Sequence, residues 1–384
     1  MAKQNIYTPQ FVLVCLSALF FSASYNMLIP ELPSYLNNLG GAEYKGLIIA
    51  LFTLTAGLSR PFSGKLTDTI GRKPVLVFGA MVCVITGLFY PILTSVSGFL
   101  FLRLLHGFST GFSPTATATY ISDIIPKERL GEAMGIQGLC FSTGLALGPA
   151  LGSYIKLYSN FNALFYSSSL MALISIVFVF KVKETLKEKQ AFTFESLKIS
   201  TSDIIAKEAI PPAIITFISY LGFGVVLTLI PDWSDSLGIV NKGTFFIVFT
   251  ISSVFIRIFA GKASDVYGRK KVITVGMLLL ILALLLLGQL DVSIGMLIAA
   301  AFYGLAMGIL SPTINAWTID LSNPLTKGKA IATMYIALEA GIGLGALFSG
   351  WFYRNQVQNI PVTFFTCAFL VVIGIIYLLR LKSE

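Results

Sequence analysis

The sequence predicts an all-α polytopic membrane protein, with twelve transmembrane helices arranged as two pseudo-symmetric six-helix bundles. Three observations carry that expectation: extreme apolarity, twelve apolar runs joined by loops of lopsided charge, and a repeat of one half of the chain in the other. Hydrophobic residues fill 55% of the 384 positions and charged residues only 12%, against roughly a quarter charged in an average soluble domain. Mean hydropathy is +0.83. A water-soluble globule of this make-up is excluded. Twelve spans of about 20 residues, each able to cross ~30 Å of hydrocarbon, fit the length and leave short connections.

In chain order the apolar runs lie within 11–30, 46–63, 75–94, 98–121, 132–155, 162–182, 210–231, 243–260, 272–290, 293–317, 329–352 and 361–381. The first follows Lys3 like a signal peptide, but it has no Ala-x-Ala exit and continues into Ile29-Pro30-Glu31-Leu32-Pro33, so it reads as a span. An even number of spans puts both termini on one side. With that side as the cytoplasm, 20 of the 27 Lys and Arg lie in its loops and tails. Four lie in the opposite loops (Lys45, Lys156, Lys242 and Arg354), and three (Arg60, Arg103 and Arg257) fall within spans. This is a strong positive-inside signal. It accounts for the net charge of +9 without nucleic acid as a partner.

The longest connection, from about Lys183 to Ala209, is charged and separates six spans from six. The expected organisation is therefore an N-terminal bundle at 1–183, a cytoplasmic linker at 184–209 and a C-terminal bundle at 210–384. Self-comparison supports a duplication. Gly64-Lys65-Leu66-Thr67-Asp68-Thr69-Ile70-Gly71-Arg72-Lys73 returns 197 residues later as Gly261-Lys262-Ala263-Ser264-Asp265-Val266-Tyr267-Gly268-Arg269-Lys270. Arg60 and Arg257, Gly131 and Gly328, Gly144 and Gly341, and Gly148 and Gly345 keep the same offset. Leu28-Ile29-Pro30-Glu31 also returns, four residues out of phase, as Leu229-Ile230-Pro231-Asp232. Repeats of this kind commonly bracket a transport site near the membrane midplane.

The loop after the second span resembles the G-x-L-x-D-x-x-G-R-[RK] signature of the major facilitator superfamily at every fixed position, and its second copy departs only at Ala263. The resemblance covers essentially the whole chain and implies a carrier with two rocking halves. It casts Asp68, Arg72, Asp265 and Arg269 as a cytoplasmic latch. Asp68 would face the start of the eleventh helix near Gly328 and Asp265 the start of the fifth near Gly131, where helix N-termini are partially positive. Such contacts would close the cytoplasmic side when the cavity faces outward.

In the fifth span, Gly144-Leu145-Ala146-Leu147-Gly148-Pro149-Ala150-Leu151-Gly152-Ser153 resembles the G-x-x-x-G-P-x-x-G-G motif of the superfamily's drug:proton antiporters, with Ser153 in place of the last glycine. Gly144, Gly148 and Gly152 form a groove for another helix beside Pro149, and Gly341, Gly345 and Ser349 offer a matching groove. Plain helix packing is true of these residues in any case. The resemblance adds a direction, export.

Arg103, His106, Thr110, Ser113 and Thr117 share one face of the fourth span by their alternating spacing of three and four. An arginine at the membrane centre costs about 2.5–3.5 kcal/mol on insertion scales and is a functional candidate by default. Arg103 also matches the superfamily's fourth-span arginine, which implies a part in coupling. For His106, protonation and a fixed neutral hydrogen bond stand about even. Glu339 is the only carboxylate near the middle of any span. A carboxyl group that can lose and regain a proton as access alternates is what proton coupling requires, so Glu339, Arg103 and His106 form the expected coupling set. Glu31 and Asp232 end their spans beside prolines and read as gate or cap residues. Tyr25, Asn26, Gln137, Tyr220, Tyr303 and Asn315 are the polar residues expected to line a cavity, one suited to an amphiphilic organic molecule.

An enzyme finds little support, with no Walker A loop, H-E-x-x-H or G-x-S-x-G in the chain. A channel would need a filter rather than two duplicated latch loops, and a sensor without flux would be expected to carry a soluble domain. Cys15, Cys83, Cys140 and Cys367 all lie in apolar runs, and with a single histidine no metal site or cofactor is expected. The function expected is proton-coupled export, by alternating access, of a small amphiphilic molecule. The alternative is a proton symporter importing a sugar-like or carboxylate solute. The partners are then a small-molecule substrate, protons and the lipid bilayer. A monomer in a bacterial inner membrane, both termini cytoplasmic, is the expected setting.

Overall fold

In hydrocarbon every backbone N–H and C=O must be satisfied within the chain, and a segment that does so alone is a helix. The computed structural model describes residues 6–126, 130–199, 204–289, 292–322 and 327–381, and among these all regular structure is helical. The N-terminal half comprises α1 (Pro9–Asn26), the short α2 (Leu32–Asn38), α3 (Lys45–Thr69), α4 (Arg72–Phe89), α5 (Val96–His106), α6 (Phe108–Ile124), α7 (Leu130–Tyr158) and α8 (Phe161–Phe180). The C-terminal half comprises α9 (Ile210–Ser236), α10 (Thr244–Tyr267), α11 (Arg269–Gln289), α12 (Ser293–Leu321), α13 (Lys327–Tyr353) and α14 (Ile360–Arg380).

Among the described residues, ten helices are long and apolar enough to cross a membrane. Two of the twelve expected spans fall outside that count. In α10 (Thr244–Tyr267) the described apolar stretch is Thr244–Arg257. The fourth span is divided into α5 and α6 at Gly107, whose backbone stays helical (φ −59°, ψ −29°) with lengthened hydrogen bonds of 3.3 and 3.4 Å on either side. A Cβ on Gly107 would stand 2.0 Å from both the Phe52 carbonyl and the Thr55 hydroxyl, so only glycine lets the two backbones approach this closely.

The two halves repeat one packing pattern. α1 packs on α7 and α8, and α4 on α6 and α8; in the second half α9 packs on α13 and α14, and α11 on α12 and α14. Lipid tails are as apolar as leucine, so close approach and interhelical hydrogen bonds hold spans together rather than the hydrophobic effect. The α7 groove is of this kind. A Cβ on Gly144, Gly148 or Gly152 would lie 2.4, 2.8 or 1.9 Å from the α1 carbonyls of Leu19, Ala23 and Met27. On α13, Gly341 and Gly345 receive Phe217 and Leu221 of α9 in the same way. Serines lace α1 to α8: the Ser168 hydroxyl donates to the Ser24 carbonyl at 2.8 Å and that of Ser175 to the Ser17 carbonyl at 2.9 Å. Between the halves run two seams, α3 against α13 and α7 against α10.

Candidate functional site

The α3/α13 seam carries an ion pair at mid-span. Arg60 Nη2 donates to Glu339 Oε1 at 2.5 Å, with the two side chains 12% and 8% exposed. The Arg60 guanidinium also lies over the Tyr335 ring, 4.8 Å from its centroid. Tyr335 stands one turn before Glu339, so a single face of α13 meets the arginine with a charge and a ring. Breaking such a pair from one side leaves an uncompensated buried charge, at a cost of about 3–5 kcal/mol. Sequence reasoning singled out Glu339 but missed its partner. The signal was present: Arg60 is an intramembrane arginine, suspect by default.

Arg103 and His106 lie inside the N-terminal bundle. Arg103 is 2% exposed. Its Nε donates to the Ile48 carbonyl of α3 at 2.8 Å, and its guanidinium sits over the Phe52 ring at 4.6 Å. Tyr90 Oη and His106 Nδ1 each lie 3.4 Å from its Nη1. The His106 ring meets Phe52 edge-on at 5.5 Å, and its Nε2 is buried without a hydrogen-bond partner among the described residues. Among the described residues, the hydrogen bonds of Arg103 thus join it to α3, the helix that bears Arg60, rather than to Glu339.

The expected cavity residues divide. Tyr220 on α9 is half-buried, with Ser311, Arg257, Tyr335 and Glu339 nearby. Asn315 is half-buried and donates to the Ser311 carbonyl at 3.1 Å. Tyr25 is half-buried and stacks on Phe52 at 5.9 Å, while Asn26 is buried and donates back to the Ser22 carbonyl at 2.8 Å. Gln137 is half-buried on α7. Tyr303 is wholly enclosed between Phe223 and Phe249, its hydroxyl without a partner among the described residues, so it faces no open space in this conformation.

On the face opposite the termini the halves are tied together. Lys45 at the start of α3 pairs with Asp232 of α9, at 5% and 9% exposure. Lys242, likewise buried, pairs with Asp235 at 2.6 Å and reaches across to the Ser34 hydroxyl at 2.8 Å. Asn241 donates to the Ala150 carbonyl beside Pro149, and Asn355 to that of Ala42. Lys45 and Lys242 are themselves repeat equivalents, 197 residues apart. Glu31 accepts from Ser153 at 2.7 Å, and a cavity of about 300 Å³ lies between it, Lys156 and Lys242. Ser153, the departure from the fifth-span motif, is thus the residue that anchors Glu31.

On the basic face no hydrogen bond or ion pair between described residues crosses directly from one bundle to the other. Asp68 is 70% exposed, 3.5 Å from Arg72, and a Cβ on Gly64, Gly135 or Gly138 would meet open space. The side chains of Asp265 and of the segments at Gly131 and Gly328 lie outside the described residues. Arg72 is held instead by Asp123 at 2.9 Å, and Arg269 by Asp320 at 2.7 Å. Neither aspartate was expected, yet 123 and 320 differ by the same 197 as the rest of the repeat, a signal available in the sequence. Gly71 takes φ +121°, and Glu184 caps α4 by accepting the N–H groups of Arg72 and Lys73 at 3.1 and 3.0 Å. Burial works to raise the Glu184 carboxyl, but four backbone N–H groups outweigh it and hold the group below the usual carboxylate range.

Residues 14–210 and 212–384 match the family model described as Major Facilitator Superfamily. The chain is 26% identical over 394 aligned positions to multidrug resistance protein 2 of Bacillus subtilis, covering 97% of this chain and 96% of the relative. It is 24% identical to the PmrA-homologue multi-drug resistance efflux pump of Lactococcus lactis, over 89% of this chain and 85% of that one. The crystal structure of a D-xylose–proton symporter superposes with a TM-score of 0.81 at 16% identity, over 98% of both chains.

Proposed function

Because the chain belongs to the major facilitator superfamily, and is a multi-pass membrane transporter and not an enzyme, we propose that it exports a small amphiphilic organic molecule in exchange for protons. The observation that carries this reading is the Arg60–Glu339 pair, a titratable carboxyl group buried at mid-depth on the seam between the two bundles. With the basic face as the cytoplasm, the bundles are tied at the outer face, and in this reading substrate enters from inside. Glu339 is then ionised and balanced by Arg60. Once the halves rock and the outer side opens, a proton from outside neutralises Glu339. Arg60 loses its counter-charge, and the seam favours the return stroke. Opening one side and closing the other exchanges the Lys45–Asp232 and Lys242–Ser34 contacts for latch contacts by Asp68, Arg72, Asp265 and Arg269, a rigid-body movement of packed units. Arg103 and His106 act on coupling through α3, since Arg103 grips its backbone at Ile48, about three turns before Arg60 on the same helix.

The efflux names of the relatives support export over import, whereas the likeness to a sugar symporter at 16% identity speaks to the fold alone. The carrier works in the cell inner membrane as a monomer, with both termini cytoplasmic, without cofactor and without nucleic acid. Inverted vesicles acidified inside should accumulate an amphiphilic fluorescent dye, and the accumulation should collapse when the pH gradient is dissipated. Accumulation instead in right-side-out vesicles with acid outside would mean uptake, and overturn the reading.

A further inference from the structure

Four charged groups stand near mid-depth of the spans: Arg60, Arg103, Arg257 and Glu339. The one carboxylate is taken by Arg60. Arg103 spends its donors and its charge on Ile48, Tyr90 and the face of Phe52 within its own bundle. Arg257 is left over. Its Nε is buried with no hydrogen-bond partner among the described residues. The groups beside it are the hydroxyls of Tyr220 and Tyr335, each able to donate a hydrogen bond.

The repeat explains how this arose. Arg257 is the copy of Arg60, but the same offset carries Glu339 back to position 142 (339 − 197), which is Ser142. The α7/α10 seam mirrors α3/α13 in its packing, and Ser142 is buried at 8% exposure. The second seam has therefore inherited the cation without the anion. An arginine kept at this depth costs about 2.5–3.5 kcal/mol on insertion scales, and such a group marks a ligand or ion path when no protein group answers it. A guanidinium offers a planar fork of donors that matches a carboxylate, and the two tyrosine hydroxyls add donors beside it.

We propose that Arg257, with Tyr220 and Tyr335, binds the anionic head of the transported molecule, so that the substrate is an amphiphilic organic anion: an apolar or aromatic body bearing one carboxylate. This deepens the export reading and rests on it in one respect, that a small amphiphile occupies the space between the bundles. The charge of Arg257 is then answered only when cargo is aboard. The pair at Arg60 stays free to answer the proton.

The test is binding, not flux. Purified full-length protein in lipid nanodiscs is titrated with two probes sharing one fluorophore, dansylglycine with a carboxylate and dansylcadaverine with an ammonium group. The wild type should bind dansylglycine saturably and more tightly than dansylcadaverine. Arg257→Gln should weaken dansylglycine about tenfold, equivalent to ~1.4 kcal/mol, and leave dansylcadaverine no weaker. Arg257→Lys, which keeps the charge but not the fork, should bind dansylglycine more tightly than Arg257→Gln does and guards against misfolding as the cause. Tighter binding of the cation by the wild type overturns the proposal. So does absence of saturable dansylglycine binding, or a loss below about threefold in Arg257→Gln. Anion binding without any pH-driven flux would keep this inference and sink proton coupling. Dye flux on a pH gradient with no anion binding would do the reverse.

Discussion

The two seams between the bundles descend from one ancestral surface and now differ by a single charge. At α3/α13 an arginine meets a glutamate and a tyrosine ring, and the seam is neutral within itself. At α7/α10 the equivalent arginine remains while serine stands where the glutamate would be. A duplicated scaffold thus keeps its helix packing, which glycine grooves dictate on both sides, while one substitution makes the halves electrically unlike. A self-neutral seam can be switched by a proton. A seam with an unanswered cation needs a counter-ion from elsewhere.

The largest effect should come from Glu339→Gln, which makes the first seam resemble the second. Accumulation of dye in inverted acid-loaded vesicles should fall by about tenfold or more, toward the level seen without a gradient, with probe binding retained. Flux equal to wild type would remove Glu339 from coupling. The reciprocal change, Ser142→Glu, should give Arg257 an internal partner. It should raise the melting temperature and weaken dansylglycine about tenfold or more, in line with the ~1.5–3 kcal/mol that a hydrogen bond to a charged group contributes. No change in either quantity would break the equivalence of the seams.

A smaller effect is expected at the outer tie. Lys45→Met leaves Asp232 buried without its partner and loosens the closed face. Alkylation of a cysteine placed by Ala50→Cys, at a buried α3 position facing Gly343 of α13, should quicken about threefold with an impermeant maleimide applied from that side. The smallest effect falls far from both seams. Glu184→Gln removes the charge that caps α4 and should cost about 1 kcal/mol at neutral pH, as lost caps do. Its carboxyl is held below the ordinary range in the folded state, so its stabilisation is present above that range and is lost as the pH falls through the folded value. The melting temperatures of variant and wild type should therefore converge on acidification. Divergence at low pH would mean the cap is misread.

Much of the site was legible one residue at a time and little of it as pairs. Glu339, Arg103, Asp68 and Arg72 announce themselves because charge inside an apolar run or a glycine-rich loop is costly. That Arg60 answers Glu339 could not be read, since 279 positions separate them and they lie in different bundles. Asp123 and Asp320 could have been found from the repeat offset, because each closes a ring with its own half's arginine. The close approach of α3 at Gly107 was hidden for a different reason: the apolar run is continuous there, and only the packed structure shows which neighbour the glycine admits.

By itself, then, the order of amino acids determined the apolar spans, the uneven charge of their loops and the twofold repeat. Lipid leaves an isolated segment no other way to satisfy its backbone, and basic residues sort by side. Only tertiary structure decided which charges neutralise each other and which face is closed. Those outcomes depend on contacts between helices remote in the chain, where a few ångströms separate a buried ion pair from an unanswered charge.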